Sequence, residues 1–265
     1  MIPKRIHYCW FGRNPKPELA EKCIKSWRRF CPDYEIIEWN EDNFDLAAAP
    51  LYVRQAYEAR KWAFVTDYVR LWAMTRYGGI YMDSDVEVVK PLDRFLHHQA
   101  FSGFEDVKRI PTGIMACEKG FPLFEEFLQY YQDKSFLNPD GTPDCTTNVV
   151  IMTDMCLARG LKQDNTYQVV DGFALYPKDV FCPVEMSTGL AKKTGNTAAI
   201  HWFAGSWVDA QELEEREAGR RERRKRERRQ RMQRLVHDTV HLPNLVLRKL
   251  MGDGKYEALK KKLRG

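Results

Sequence analysis

Two aspartates one residue apart, Asp83 and Asp85, close the segment Arg76-Tyr77-Gly78-Gly79-Ile80-Tyr81-Met82-Asp83-Ser84-Asp85. The residues before them read as the end of a helix, a Gly pair and a short apolar strand. In a strand, residues i and i+2 point to the same face, so both carboxylates can meet at one point. Oxygen donors arranged this way suit a hard divalent cation such as Mn²⁺ or Mg²⁺ better than zinc or copper. An ion with so few protein ligands keeps positions open for phosphate oxygens. Asp-x-Asp alone is a weak signal, and the surrounding residues must make it specific.

Several other side chains could do chemistry, each with a plainer alternative. Ala63, Thr66, Asp67, Arg70 and Met74 share one helical face, which sets Asp67 beside Arg70 on a semi-polar stripe of an otherwise apolar helix. Spacing alone leaves two readings open: a surface ion pair worth a few tenths of a kcal/mol, or a carboxylate and guanidinium that grip a polyhydroxylated phosphate ester. Trp10 is either a core ring or a platform for a nucleobase, where stacking is worth about 1–3 kcal/mol. His7 has a parity different from Trp10 and reads as structural support. Asn148, at a helix start, is either a cap or a group that reaches the sugar or the acceptor.

These residues need elements to carry them. Ile2 to Trp10 reads as a buried strand, Glu18 to Phe30 as a helix with Leu19, Cys23, Ile24, Trp27 and Phe30 in one stripe, and Tyr34 to Trp39 as a second strand. Strand, helix, strand is a βαβ unit, so the sheet should begin parallel. Leu51 to Tyr77 reads as mostly helical, stopped by Gly78-Gly79. Strands are expected at Ile80 to Met82 and Glu87 to Leu92, a pair of short ones at Phe101 to Glu105 and Gly113 to Glu118, then Tyr167 to Val170, Leu175 to Pro177 and Ala198 to Trp202. Helices are expected at Phe121 to Tyr131 and Thr146 to Arg159, the second stopped by Gly160. The pattern predicts an α/β fold with an open mixed sheet flanked by helices. Such sheets bind ligands beyond the carboxyl ends of their strands, and Trp10, Trp39-Asn40 and Asp83-Ser84-Asp85 are all expected there.

Four blocks together resemble glycosyltransferase family 32, the DXD-containing family. They are Ile2-Pro3-Lys4-Arg5-Ile6-His7-Tyr8-Cys9-Trp10, Ala63-Phe64-Val65-Thr66-Asp67-Tyr68-Val69-Arg70, Tyr77 to Asp85, and His201-Trp202-Phe203-Ala204-Gly205-Ser206-Trp207. The family includes yeast-type initiating mannosyltransferases and bacterial capsule transferases and is more distantly related to clostridial glucosylating toxins. The resemblance implies a GT-A-like fold with a nucleotide-binding half and an acceptor-binding half. It implies that Trp10 stacks on the donor base and that Asp67 and Arg70 contact the donor sugar and its phosphate. Asp83 and Asp85 would hold Mn²⁺ or Mg²⁺, with His201 near the metal and Ser84 in the donor-binding set. The loop with Ser206 and Trp207 would close over the diphosphate. The implied reaction retains anomeric configuration without a protein nucleophile. It moves a hexose from a nucleotide-sugar, expected to be a UDP-sugar, to a saccharide acceptor in surface polysaccharide synthesis.

The whole chain of 265 residues carries a net charge of +5, unevenly spread. Residues 211–265 hold 18 Lys and Arg against 9 Asp and Glu; residues 1–210 hold 24 against 28. The expected organisation is therefore a catalytic domain over 1–210 and a basic helical tail over 211–265. The tail's Glu residues lie four before Arg (Glu212/Arg216, Glu217/Arg221, Glu222/Arg226, Glu227/Arg231), and an apolar cluster from Leu235 to Met251 follows. A basic stretch joined to an amphipathic one suits an anionic membrane surface, and would set the enzyme beside a lipid-linked acceptor. Nucleic acid is not the expected partner, because the Arg run has no interleaved aromatics. Seven cysteines without C-x-x-C spacing argue against a disulfide framework or zinc site. With no apolar run near the roughly 20 residues that span a bilayer, the expected location is cytoplasmic, peripheral on the inner membrane face. The competing class is a nucleotide-sugar or nucleic-acid binding protein without transfer activity.

Overall fold

A computed structural model describes residues 1–110, 113–205 and 210–262. The chain forms two compact units, Met1–Val208 and Asp209–Gly265.

The first unit starts with the expected βαβ: β1 (Arg5–Cys9), α1 (Glu18–Phe30) and β2 (Glu35–Trp39), with β1 and β2 parallel. Ala20, Cys23, Ile24 and Trp27 bury one stripe of α1, while Glu18 and Glu21 in its first turn and Arg28 and Arg29 in its last complement the helix dipole. The predicted Leu51–Tyr77 helix is two helices, α2 (Leu51–Glu58) and α3 (Trp62–Tyr77). The break is a left-handed cap at Arg60 (φ 55°), where the amide of Lys61 donates to the carbonyl of Ala56 and that of Arg60 to Tyr57. After α3 the Gly pair turns the chain into β3 (Gly79–Met82). Gly79 has φ 115°, and a Cβ there would sit 2.7 Å from the Arg5 carbonyl oxygen, so a side chain would push β3 off β1.

Next come β4 (Val86–Val88), β5 (Ala100–Gly103), β6 (Ile114–Cys117), α4 (Pro122–Gln129), α5 (Asn148–Leu157), β7 (Gln168–Val170) and β8 (Phe173–Tyr176). The short α6 (Lys178–Phe181), the hairpin β9 (Val184–Glu185) and β10 (Leu190–Ala191), and β11 (Ala199–His201) complete the unit. The main sheet has the order β2-β1-β3-β6-β5-β8-β7. β1 is parallel to β2 and β3, β6 is antiparallel to both β3 and β5, and β8 is parallel to β5. It is an open mixed sheet flanked by helices, as predicted. The strand expected at Glu87–Leu92 is shorter, and it pairs with β11 instead of entering the main sheet.

Alternate strand residues feed two cores. Ile6, Tyr8, Ile80 and Met82 join Trp27 of α1 and Val86 and Val88 of β4 on one face. Cys9 and Tyr81 join Val65, Val69, Phe124 and Met152 of α3, α4 and α5 on the other. This is the period-two pattern of a sheet buried on both sides.

The second unit is helical: α7 (Ala210–Met251) and α8 (Asp253–Lys262). Among its described side chains, Glu217 pairs with Arg220 and Arg224, and Glu222 with Lys225. These differ from the predicted Glu217/Arg221 and Glu222/Arg226 pairs because a Glu in so dense a basic run has cations at i+3 as close as those at i+4. No described helix is long and apolar enough to cross a membrane.

Candidate active site

β3 ends at Met82, as expected, and Asp83, Ser84 and Asp85 form a turn just past it, so this turn and not strand alternation brings the two carboxylates together. The turn is fixed from both sides: the Asp83 amide donates to the Gly113 carbonyl at 2.8 Å, and the Val86 amide to the Asp83 carbonyl at 3.0 Å. His201 arrives by strand pairing. β11 runs antiparallel to β4 with His201 opposite Val86, one residue from Asp85. Ligand atoms of Asp83, Asp85 and His201 all lie within 4.8 Å of one another.

His201 turns Nε2 into this cluster, 3.3 Å from Asp85 Oδ1 and 3.8 Å from Asp83 Oδ2. Its Nδ1 is buried without a hydrogen bond, and the nearby Cys182 thiol is a weak partner at best. The ring lies so close to Gly113 that a Cβ there would come within 2.4 Å of Cε1. Burial disfavours the imidazolium, but the Asp85 carboxylate outweighs it and holds the His201 pKa well above its ordinary value. Asp85 is raised by burial and lowered more by His201, so it sits below the usual range. Asp85 Oδ2 also accepts the Ala204 amide at 2.7 Å. Phe203, beside the His201 ring at 4.0 Å, has φ 52°, a conformation seldom adopted by residues other than Gly and often found where strain serves a site.

Asp67 and Arg70 are no surface pair. They are 6% and 5% exposed. One terminal nitrogen of Arg70 lies 3.2 Å from Asp67 Oδ1 and 3.4 Å from Asp83 Oδ1, so the guanidinium ties the helix to the acidic turn. It also sits 4.7 Å over the Tyr81 ring, and Tyr81 donates its hydroxyl to Asp83 Oδ1 at 2.8 Å. Burial pushes the Asp67 carboxyl up to about 6, against the lowering influence of Arg70 and the Asn148 amide.

Asn148 is the first residue of α5, not its cap, and is fully buried. Its backbone amide donates to Asp67 Oδ2 at 3.1 Å, its side-chain nitrogen to the Asp67 carbonyl at 2.8 Å, and its oxygen accepts the Tyr131 hydroxyl at 2.9 Å. One N–H and one lone pair of the side-chain amide are thus engaged within the protein. Asn148 acts on the site by fixing Asp67.

Trp10 follows β1 directly and is partly exposed; its Nε1 donates to the Asn14 carbonyl at 2.7 Å and Lys16 lies over its ring at 5.6 Å. A cleft of about 390 Å³ lined by Gly12, Arg13, Asn14, Glu41, Tyr57, Arg60 and Trp62 opens beside it, at the carboxyl ends of β1 and β2. Trp39 was predicted at this edge too, but its ring turns into the core, where it stacks on Tyr77 and donates to His7 Nδ1. His7 in turn bonds the Gly78 carbonyl at 2.9 Å, the structural support expected of it. Ser84 lies half-buried in the acidic turn. Ser206 and Trp207 lie outside the described residues. Tyr81 was missed, although its i−2 relation to Asp83 puts it on the same face.

Residues 17–102 match the family described as the glycosyltransferase sugar-binding region containing the DXD motif. Among curated proteins, the chain is similar to inositol phosphoceramide mannosyltransferases 3 and 1 of Schizosaccharomyces pombe. It is 33% identical to the first over 132 residues and 30% identical to the second over 111. The matches cover 48% and 38% of this chain but only 36% and 33% of those proteins, so the chain spans about a third of the length of the curated relatives it matches. Among solved structures it is similar to a glycosyltransferase involved in glycosylation of the major capsid of PBCV-1 (12% identical, 80% of this chain and 98% of that one, TM-score 0.42). A second is the galactosyltransferase LgtC in complex with donor and acceptor sugar analogues (14% identical, 81% and 95%, TM-score 0.40). Residues 17–102 thus match a DXD-containing glycosyltransferase sugar-binding region, and they include the motif blocks Ala63 to Arg70 and Tyr77 to Asp85.

Proposed function

We propose that the protein is a metal-dependent, retaining glycosyltransferase that moves a hexose from a nucleotide-sugar, in our reading a UDP-sugar, to a saccharide acceptor in surface polysaccharide synthesis. The observation that carries this reading is the meeting of Asp83, Asp85 and His201 within 4.8 Å at the end of β3, with Arg70 tied to the same turn. Two carboxylates and one imidazole, converging within reach of one point, fit a divalent ion. The imidazole favours Mn²⁺ over the harder Mg²⁺. When bound, the ion supplies positive charge to the departing diphosphate.

The chain's own residues do the rest. Arg70 adds a fixed positive charge next to the ion, in a site dry enough to make it effective. Asp67, held by Asn148, presents a carboxylate to the donor sugar's hydroxyls. Trp10 offers its exposed face to the base, with Ser84, Ser206 and Trp207 around the diphosphate. The acceptor hydroxyl attacks from the face the diphosphate leaves, and no protein group is assigned as nucleophile.

The relatives' printed activity, mannosyl transfer to inositol phosphoceramide, supports a hexose donor and a lipid-linked acceptor. The basic tail supports peripheral attachment to an anionic membrane surface, on the cytoplasmic side in our reading. The test is a thermal-shift and calorimetric screen of UDP- and GDP-hexoses with and without Mn²⁺. A nucleotide-sugar should stabilise the protein only with the metal and should turn over. Metal-dependent binding without hydrolysis or transfer would favour a binding protein instead.

A further inference from the structure

Gly113 has no part in the mechanism above, yet it touches both halves of the candidate metal site. It is buried one position before β6, where the pairing of Ile114 with Met82 sets it opposite Asp83. Its carbonyl accepts the Asp83 amide at 2.8 Å. A Cβ added to it would stand 2.6 Å from His201 Nδ1 and 3.0 Å from Nε2. The backbone itself does not require glycine, because φ lies outside the left-handed region that L side chains avoid. What the position lacks is room for a side chain, and the atoms in the way belong to His201.

Neither neighbour can give way easily. The Gly113 backbone is held by the bond to Asp83, and the next carbonyl, that of Ile114, accepts the buried Ser102 hydroxyl at 2.7 Å. His201 is 8% exposed. Phe203 lies against its ring with centroids 4.0 Å apart, β11 fixes its backbone opposite Val86, and Nε2 faces Asp85 and Asp83. Non-bonded carbon atoms rest about 3.5–4.0 Å apart, so even an alanine methyl would force the ring back by roughly 1 Å. Metal–ligand bonds tolerate about 0.2 Å. The ring would leave the cluster, while Asp83, bonded to Tyr81 and Arg70, and Asp85, bonded to the Ala204 amide, would stay.

The consequence is one of metal choice. Two carboxylates alone offer oxygen, which serves Mg²⁺ as well as Mn²⁺, and the imidazole nitrogen tilts the donor set toward Mn²⁺. Given the proposed function, on which this inference rests, we propose that Gly113 is a positioning residue. By bearing no side chain it seats His201 against the acidic turn, and so gives the site its preference for Mn²⁺ over Mg²⁺.

The test uses the full chain as wild type, Gly113→Ala, His201→Ala and the double variant, with UDP or GDP (whichever the wild type binds) at saturation. Mn²⁺ affinity is read from the free-ion EPR signal, Mg²⁺ affinity by competition for the same site, and folding by urea denaturation. Gly113→Ala should bind Mn²⁺ about 10- to 100-fold more weakly, the loss that follows when the support of a metal ligand is changed. Its Mg²⁺ affinity should fall by much less, so that the preference for Mn²⁺ narrows by about tenfold. His201→Ala should show the same losses. Adding Gly113→Ala to it should change nothing further, because the ring that the methyl would strike is gone. Unchanged Mn²⁺ affinity in Gly113→Ala, equal losses for the two ions, a wild type without preference for Mn²⁺, or a further loss of the same size in the double variant would overturn the assignment. Should Gly113→Ala fail to fold, the double variant decides: recovery of the fold once the ring is removed supports the assignment, and no recovery overturns it. Wild-type protein that binds no Mn²⁺ with either nucleotide would sink the metal-dependent reading itself, and this inference with it.

Discussion

Replacing Arg70 by Met keeps most of the side chain's packing and removes its charge, so it isolates what the guanidinium does between Asp67 and Asp83. Two costs follow. Loss of the stack on Tyr81 and of the hydrogen bonds to the Thr66 carbonyl and hydroxyl should cost about 2 kcal/mol at any pH. The second cost depends on pH. With Arg70 present the Asp67 carboxyl already titrates at about 6. Without Arg70 its folded-state pKa climbs further, and the buried group escapes its charge by holding a proton. A group raised above its unfolded value keeps its stabilising contribution below the unfolded pKa and loses it as pH rises through the folded one. The wild type has lost that contribution by about pH 7, whereas the variant goes on losing it, at about 1.4 kcal/mol per pH unit for one retained proton. The variant should thus be about 2 kcal/mol less stable than wild type at pH 6 and about 5 at pH 8. Urea denaturation followed by tryptophan fluorescence reads this cleanly, since all 7 tryptophans lie in Met1–Val208. The same difference at pH 6 and pH 8 would refute the coupling of Asp67 to Arg70. A loss of only a few tenths of a kcal/mol would return the pair to the status of a surface ion pair.

The remaining predictions concern the ligands. Asp83→Asn and Asp85→Asn should keep the fold but abolish Mn²⁺-dependent nucleotide-sugar binding; calorimetric affinity that survives both changes would remove the metal from the reading. Trp10→Ala should weaken binding of the nucleoside diphosphate by about 1–3 kcal/mol, whereas Asp67→Asn should weaken the nucleotide-sugar more than the diphosphate alone; equal losses in both variants would mean that base and sugar ends are misassigned. A chain ending at Val208 should fold and hydrolyse donor yet lose salt-sensitive binding to vesicles with anionic lipid, binding that in the full chain should weaken as ions screen charge over about 10 Å at 0.1 M. Failure of the shortened chain to fold, or indifference of the full chain to such vesicles at low salt, would argue against membrane attachment.

What could be read from the chain was what is encoded locally. The helix stop at Gly160 was legible because Gly adopts positive φ freely. Arg60 makes the same left-handed cap with the same pair of hydrogen bonds, to Ala56 and Tyr57, and carries no such mark. The two aspartates were legible as a pair, but the order β11-β4 that lays His201 opposite Val86 is a tertiary pairing, and no short-range pattern encodes a partner more than a hundred residues away. Trp39 shows the reverse error. Its place at a strand end was right, but the end of a strand does not say which way its last side chain turns, and here His7 and Tyr77 draw the ring inward. Asn148 looked like a cap because caps are where Asn commonly occurs. Its burial against Asp67 becomes visible only once α5 is packed on α3.

Assembled, these groups form one polar chain along the carboxyl edge of the sheet. Asn148 fixes Asp67, Arg70 spans Asp67 and Asp83, and Asp85 is held by His201 and the Ala204 amide. Its charges do not cancel. Three carboxylates face one guanidinium, and in the absence of other cations the shortfall is met in part by His201, which the cluster holds protonated. A divalent ion coordinated by Asp83, Asp85 and neutral His201 would replace that proton and cancel the remaining charge. The neutral cluster could then accept a diphosphate without repelling it. On this view the fixed charge that Arg70 sets beside the ion acts first on its neighbouring carboxylate. It compensates Asp67, which must remain ionised to grip sugar hydroxyls, so that the ion's charge is left for the phosphates. Lys would reproduce only part of this, because one terminal nitrogen of Arg70 meets Asp67, Asp83 and the Thr66 hydroxyl while Nε donates to the Thr66 carbonyl, and an ammonium has no second nitrogen for that bond.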